Sequence, residues 1–180
     1  NQILDNTIRN VQQCAIKLLW NDGTIIRGNK VSTKIHSMTS FFGMWIMESN
    51  ANLMIDGNTF YDFTLNGIPE YSGNRRGISF GNTRTPVGSE NYIINNVFYN
   101  ITNAYDETRA IELTSGSNGV YIYHNTISLD NIAEGASKNI RGLYVENTGS
   151  TNVKFMNNII TMSSVTSVSK IGIHLNAVPS

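Results

Sequence analysis

The chain has 180 residues with zero net charge, and it holds 25 Asn, 22 Ile, 17 Ser and 16 Thr against 7 Ala and 3 Gln. Because Asn, Ser and Thr are poor helix formers and only 14% of residues are charged, this composition argues against an ordinary helical protein. Zero net charge argues against nucleic-acid binding through a general positive field, and no apolar run reaches the roughly 20 residues of a membrane span. The length and the 40% hydrophobic content fit one folded, β-rich domain over residues 1–180.

One motif, apolar-x-x-Asn-x-apolar, occurs six times along the chain. Its Asn residues are spaced 23, 29, 38, 29 and 33 residues apart, and they are Asn6, Asn29, Asn58, Asn96, Asn125 and Asn158. The flanking apolar residues predict short strands with one buried face. An Asn at the same turn of every repeat can bond its own backbone, tolerate a left-handed conformation and pair with the next Asn. The motif therefore predicts a ladder of stacked Asn side chains.

A second motif, small-apolar-x-apolar, alternates with the first. It begins at Ala15, Gly43, Gly77, Ala110, Gly142 and Gly172. A meander of hairpins would also give many short strands, but its antiparallel neighbours would not keep one residue type at one place in every unit. Strict alternation of the two motifs favours a coiled, parallel β architecture with one copy of each motif per coil.

These repeats resemble those of right-handed parallel β-helices of the pectin-lyase-like superfamily. The resemblance covers essentially the whole chain, and the Asn-Thr-Ile, Asn-Thr-Phe and Asn-Asn-Ile signatures are similar to repeats of large secreted bacterial surface proteins. It implies an all-β solenoid of about six coils with an Asn ladder. It also implies an extracellular or cell-surface location, which no other feature of the sequence indicates.

The ends of the chain carry no amphipathic helix that would cover the last coils. Natural β-solenoids protect their terminal strands with such a cap. We therefore expect the chain to be a fragment of a longer solenoid. The alternative is end-to-end self-association, in which an uncapped coil stacks on another copy.

The outward positions of the second motif form the candidate binding column, and they are Lys17, Trp45, Ser79, Glu112, Tyr144 and His174. Two extensions, residues 62–76 and 81–90, flank the third copy of this motif, so its outward face is the predicted groove. Flat aromatic rings suit the apolar faces of sugars, and Trp45 is the preferred platform. Tyr92, Tyr121 and Tyr123 form a second aromatic group that we interpret as strand formers.

Three arginines, Arg76, Arg109 and Arg141, precede the outward column on consecutive coils. In one interpretation they form a track that grips the carboxylates or sulfates of an acidic polysaccharide. In the other, each Arg packs over its neighbour and meets Glu107, Glu112, Glu146 or solvent. The predicted ligand-binding residues are Trp45, Arg76, Ser79, Arg109, Glu112, Arg141 and Tyr144.

The alternative to a binding scaffold is a polysaccharide lyase. Uronate lyases of the superfamily resemble one another in using a basic residue as the proton acceptor and calcium or a positive side chain to hold the anion. On that resemblance, the catalytic candidates are Arg109, Arg141, Lys17 and Glu112. Calcium would be needed only under this alternative, and Asn82, Ser115 and Asn147 would be a thin set of oxygen ligands for it.

The sequence does not favour a glycoside hydrolase, because glycoside hydrolysis needs two paired carboxylates and the chain contains no Asp-Asp. The three histidines show no metal-ligand spacing. The leading prediction is thus a non-catalytic scaffold without a cofactor that binds polysaccharide. A purely structural repeat is the third possibility.

Overall fold

A computed structural model describes residues 1–34, 40–64, 73–101, 106–130, 139–146, 149–163 and 169–176. Within these ranges the chain forms eighteen strands and no helix. Each coil contributes one strand to each of three sheets, named here A, B and C.

Sheet A consists of β1 (Gln2–Leu4), β4 (Ile25–Arg27), β7 (Met54–Asp56), β10 (Asn91–Ile94), β13 (Val120–Tyr123) and β16 (Val153–Met156). Sheet B consists of β2 (Thr7–Arg9), β5 (Lys30–Thr33), β8 (Thr59–Phe63), β11 (Val97–Ile101), β14 (Thr126–Ser128) and β17 (Ile159–Thr161). Sheet C consists of β3 (Cys14–Leu19), β6 (Phe41–Met47), β9 (Arg75–Gly81), β12 (Thr108–Leu113), β15 (Ile140–Val145) and β18 (Lys170–Leu175).

Within each sheet all strands are parallel, and each sheet runs through the whole stack of coils. Each strand pairs with the strand three places later in the chain, as β1 does with β4 and β3 does with β6. With six strands per sheet among the described residues, the predicted parallel solenoid of about six coils is confirmed.

The first repeat motif forms the corner between sheets A and B, where the predicted Asn ladder is confirmed. Asn29 Nδ2 donates to Asn58 Oδ1 at 2.9 Å, and Asn58 Nδ2 donates to Asn96 Oδ1 at 3.0 Å. The ladder continues from Asn96 to Asn125 and on to Asn158. Four of its members, from Asn29 to Asn125, are fully buried, so these amides satisfy each other inside the corner.

The left-handed conformation at this corner belongs to the residue before the ladder Asn. That residue is Asp5, Gly28, Gly57, Asn95, His124 or Asn157, with φ between 53° and 66°. Asp, Asn and Gly tolerate this region better than other residues. The ladder Asn is therefore selected for its buried amide, and the backbone bend is made by its neighbour.

The core consists of stacked columns of apolar side chains. Ile26, Ile55, Ile93 and Ile122 stack on sheet A, and all four have no exposed surface. On sheet B the stacked rings of Phe60 and Phe98 lie 4.8 Å apart.

The small residue of the second motif makes room for these rings. A Cβ at Gly77 would lie 2.6 Å from Phe98 Cδ1 and 2.4 Å from the carbonyl oxygen of Ala110. At Gly43 and Gly77 a ring of sheet B occupies the space that a larger side chain would need, and at Gly142 the side chain of Ile160 does so.

Candidate functional site

The outer face of sheet C contains the predicted binding column in register. Lys17 pairs with Trp45, Trp45 with Ser79, Ser79 with Glu112, Glu112 with Tyr144, and Tyr144 with His174. Arg76, Arg109 and Arg141 are also register partners on three consecutive strands. The structure therefore brings all the predicted site residues onto one surface, called here the sheet C face.

The carboxylate of Glu112 is the centre of the charged part of this face. Its side chain is only 1% exposed, and it forms ion pairs with Arg76 and Arg109. Ser79 Oγ also donates a hydrogen bond to Glu112 Oε2 at 2.9 Å. A carboxylate so deeply buried is stable only with such partners, so these groups form one cluster.

Glu107 completes the cluster from the residue just before β12. It forms an ion pair with Arg109 and accepts a hydrogen bond from Arg141 Nη1 at 2.8 Å. Burial acts to raise the pKa of Glu107, but the charge of Arg109 and the hydrogen bond and charge of Arg141 outweigh burial and lower that pKa. Glu107 is therefore held in its charged form.

The arginine row is thus already matched by carboxylates of the chain. Three arginines whose side chains are 9–13% exposed share two glutamates, which leaves one net positive charge in the cluster. Of the partners considered in the second interpretation, Glu107 and Glu112 bind the arginines, whereas Glu146 accepts a bond from the Ser115 amide at 3.4 Å. The row is a compensated network and not a line of free guanidinium groups.

Aromatic rings and cations alternate at the other end of the face. Phe42 and Trp45 stack with ring centroids 4.7 Å apart and an interplanar angle of 7°. Lys17 Nζ lies 4.5 Å from the centroid of the Trp45 ring, and Arg76 Cζ lies 5.1 Å from that of Phe42. Both rings are half-buried and Lys17 is exposed. The aromatic pair is therefore more accessible than Glu112 and Tyr144, which are buried.

Tyr144 lies under the arginines instead of facing solvent. Arg109 Cζ is 4.1 Å and Arg141 Cζ is 4.9 Å from its ring centroid, and the residue is 8% exposed. Asn176 Nδ2 donates to its hydroxyl at 3.2 Å. Tyr144 supports the arginine row by cation–π contact and offers little ring surface to a ligand.

Phe42 is a residue of the sheet C face that the sequence did not single out. It is the register partner of Arg76 one coil earlier. Because this column changes from Phe to Arg between the two coils, the sequence pattern did not identify Phe42. An aromatic residue three positions before Trp45 on one strand was the available signal.

Only part of the two extensions belongs to the described residues. Residues 65–72 of the first extension lie outside the described residues, as does Asn147. In the second, Asn82 Nδ2 donates to Glu48 Oε2 at 3.0 Å, which ties its amide to a neighbouring coil. Among the described residues, no three His, Cys, Asp or Glu side chains are grouped so that they could hold a metal ion.

The second aromatic group lies on the outer face of sheet A. Tyr92 and Tyr121 meet edge to face at 5.4 Å, and Tyr121 and Tyr123 stack at 5.7 Å. Lys154 Nζ lies 4.3 Å from the Tyr121 centroid. This arrangement repeats the pairing of Lys17 with Trp45 on a different sheet, which provides a natural control for that pair.

Stacked parallel sheets, a buried Asn ladder and an outer face of compensated charges define the chain as a β-helical repeat protein. The family model described as the right handed beta helix region matches residues 1–177, so the chain belongs to this family. Comparisons with curated proteins and with solved structures found no match. No helix of the described residues is long and apolar enough to span a membrane.

Proposed function

We propose that this chain is a non-catalytic extracellular or cell-surface scaffold whose sheet C face binds an acidic polysaccharide. The observation that carries the proposal is the stacked pair of Phe42 and Trp45 with a cation at each ring. Aromatic rings bind the apolar faces of sugars, and adjacent cations favour sugars that carry carboxylates.

Lys17 is the side chain that a bound sugar would move. Its ammonium covers the Trp45 ring at 4.5 Å but is itself exposed, so its contact with the ring is weak. A sugar ring that packs on Trp45 displaces this ammonium, which is then free to pair with the carboxylate of the same sugar. Arg76 and the net positive charge of the cluster attract the chain of sugars along the face.

The same geometry favours binding over catalysis. A lyase base must have a free acceptor atom that reaches the substrate proton. Arg109 binds Glu107 and Glu112, and Arg141 binds Glu107, so the catalytic candidates of the lyase alternative hold one another. Lys17, the remaining candidate, places its ammonium 4.5 Å from the Trp45 ring centroid, so it acts as a cation of the aromatic pair.

Binding to a glycan array, measured together with ultraviolet absorbance of unsaturated uronate product, tests the proposal. We expect acidic glycans to bind without any increase in absorbance. Lys17→Met removes one cation without disturbing the arginine cluster, and it should weaken acidic-glycan binding. Lys154→Met removes the matching cation of sheet A and should leave binding unchanged. Measurable turnover would refute the scaffold and support the lyase.

End-to-end self-association is the second candidate, and one observation favours it. On the last described coil Ile159, Ile173 and Leu175 are 61%, 50% and 52% exposed. Stacking against the open strands of a second copy would cover these side chains and pair the strand edges. Sedimentation over a wide concentration range tests this, since a monomer at every concentration would rule it out.

A further inference from the structure

One arginine lies inside the solenoid, separate from the arginines of the sheet C face. Arg75, the first residue of β9, has no exposed surface. Its register partners are Phe41 on β6 and Thr108 on β12, both also buried. Phe41 packs edge to face on Phe63 of sheet B, with centroids 4.8 Å apart, so this register column belongs to the core.

The guanidinium of Arg75 has no hydrogen-bond acceptor among the described residues. Its Nε, Nη1 and Nη2 atoms are all buried and unpaired. Burial lowers the pKa of Arg75 to about 10, which still leaves the group charged at neutral pH. The contact with the Phe41 ring, at 5.9 Å, is near the outer limit for a cation–π interaction and is a weak substitute for a counter-charge.

The nearby carboxylates of sheet C are already bound. Glu107 pairs with Arg109 and Arg141, and Glu112 pairs with Arg76 and Arg109. A buried charge without a partner is strongly unfavourable, so we expect a negative charge at Arg75 that the described residues do not supply.

We propose that the interior of the third coil binds a small monovalent inorganic anion, such as chloride or bromide, at the guanidinium of Arg75. A monovalent halide fits this position because it loses hydration more easily than sulfate or phosphate and accepts several N–H donors at once. The buried Thr108, one coil further along the column, offers a hydroxyl as an additional donor. The anion would act as a structural part of the core and not as a ligand of the sheet C face.

Thermal unfolding in sodium chloride and in sodium gluconate, at equal sodium concentrations, tests the proposal. Gluconate is too large to replace a buried halide. Once chloride exceeds its dissociation constant, each tenfold increase should raise the Tm of the wild type by about 3–6 °C relative to gluconate. Arg75→Met, which keeps the length of the side chain, should abolish this difference. Arg27→Met, at an exposed arginine, should retain it.

Two results would overturn the proposal. One is an equal Tm of the wild type in chloride and gluconate. The other is a chloride dependence of Tm in Arg75→Met equal to that of the wild type, since the halide would then bind elsewhere. If Arg75→Met does not fold, crystals of the wild type soaked in sodium bromide decide. An anomalous peak beside the guanidinium is expected, and its absence would contradict the site.

Discussion

Replacing Asn58 by Ala should remove the middle rung of the Asn ladder and destabilise the solenoid strongly. Asn58 Oδ1 accepts hydrogen bonds from the backbone amide of Asn29 at 3.0 Å and from Asn29 Nδ2 at 2.9 Å. Asn58 Nδ2 donates to the carbonyl of Ile26 at 2.8 Å. In the variant the amide of Asn29 and the carbonyl of Ile26 lose these partners, and both residues are fully buried.

The size of the effect follows from the buried groups that lose a hydrogen bond. The buried amide of Asn29 loses its acceptor, which costs about 1–3 kcal/mol. The carbonyl of Ile26 keeps its bond within the sheet and loses one hydrogen bond worth about 0.5–1.5 kcal/mol, so the free energy of unfolding should fall by about 1.5–4.5 kcal/mol. Asn96 contributes less to the loss, because its Oδ1 still accepts the backbone amide of Asn58 at 2.9 Å. The loss of the side-chain volume adds to the effect in the same direction.

Urea unfolding followed by circular dichroism measures this difference, with Asn6→Ala as the matched control. Asn6 is the exposed first rung, and its removal leaves Asn29 Oδ1 still bonded to the backbone amide of residue 6 at 3.0 Å. We expect a loss of less than about 1 kcal/mol for this variant. If Asn58→Ala were no less stable than Asn6→Ala, the ladder would not be a source of stability and the reasoning would be refuted.

Three further outcomes are expected. Gly77→Ala should lose about 1–3 kcal/mol of stability or more in chemical denaturation, because its Cβ would collide with a Phe ring and a carbonyl, whereas Gly172→Ala, which has open space, should change little. Glu112→Gln should lose about 3–5 kcal/mol because it leaves buried guanidinium charge uncompensated, whereas Asp56→Asn, in an exposed pair, should lose at most about 1 kcal/mol. Hydrogen bonds from two hydroxyls and a backbone amide lower the pKa of Asp130 to about 2, below its usual 3.8. Its contribution to stability should be present above about pH 4 and lost as the pH falls toward 2, and Tm measured against pH for Asp130→Asn should lack that part of the decline.

The fold could be predicted from the sequence because each coil repeats the same physical requirements. The corner between sheets A and B always carries Asn, and the first position of the second motif is always Gly or Ala. A residue pattern that occurs six times can be recognised in a single sequence, because chance would not repeat it so often.

The state of the candidate site could not be predicted in the same way. That Arg76, Arg109 and Arg141 share a column follows from spacing, but whether they face a ligand or a carboxylate depends on how far each side chain bends. Glu107 lies just before β12, yet its carboxylate accepts a hydrogen bond from Arg141 on β15. The register of the strands does not show such a contact. The proposed site is therefore centred on Trp45, because the arginines cover Tyr144.

Arg75 shows a different limit of pattern reading. It stands beside Arg76 in a charged pair that resembles surface sequence, yet the alternation of the strand turns it inward. Because Phe41, Thr108 and Ile140 occupy the same column in other coils, the column has no common residue type that would identify it as core.

Calorimetric titration of a defined acidic oligosaccharide into three forms of the protein tests the proposed function most directly. The forms are the wild type, Trp45→Ala and Tyr121→Ala, the last removing the corresponding ring of sheet A. We predict that the wild type and Tyr121→Ala bind the oligosaccharide equally well and that no unsaturated product forms. Trp45→Ala should bind at least about tenfold more weakly, because it loses one aromatic contact of about 1.4 kcal/mol. Equal binding by all three forms, or cleavage of the oligosaccharide by any of them, would contradict the account.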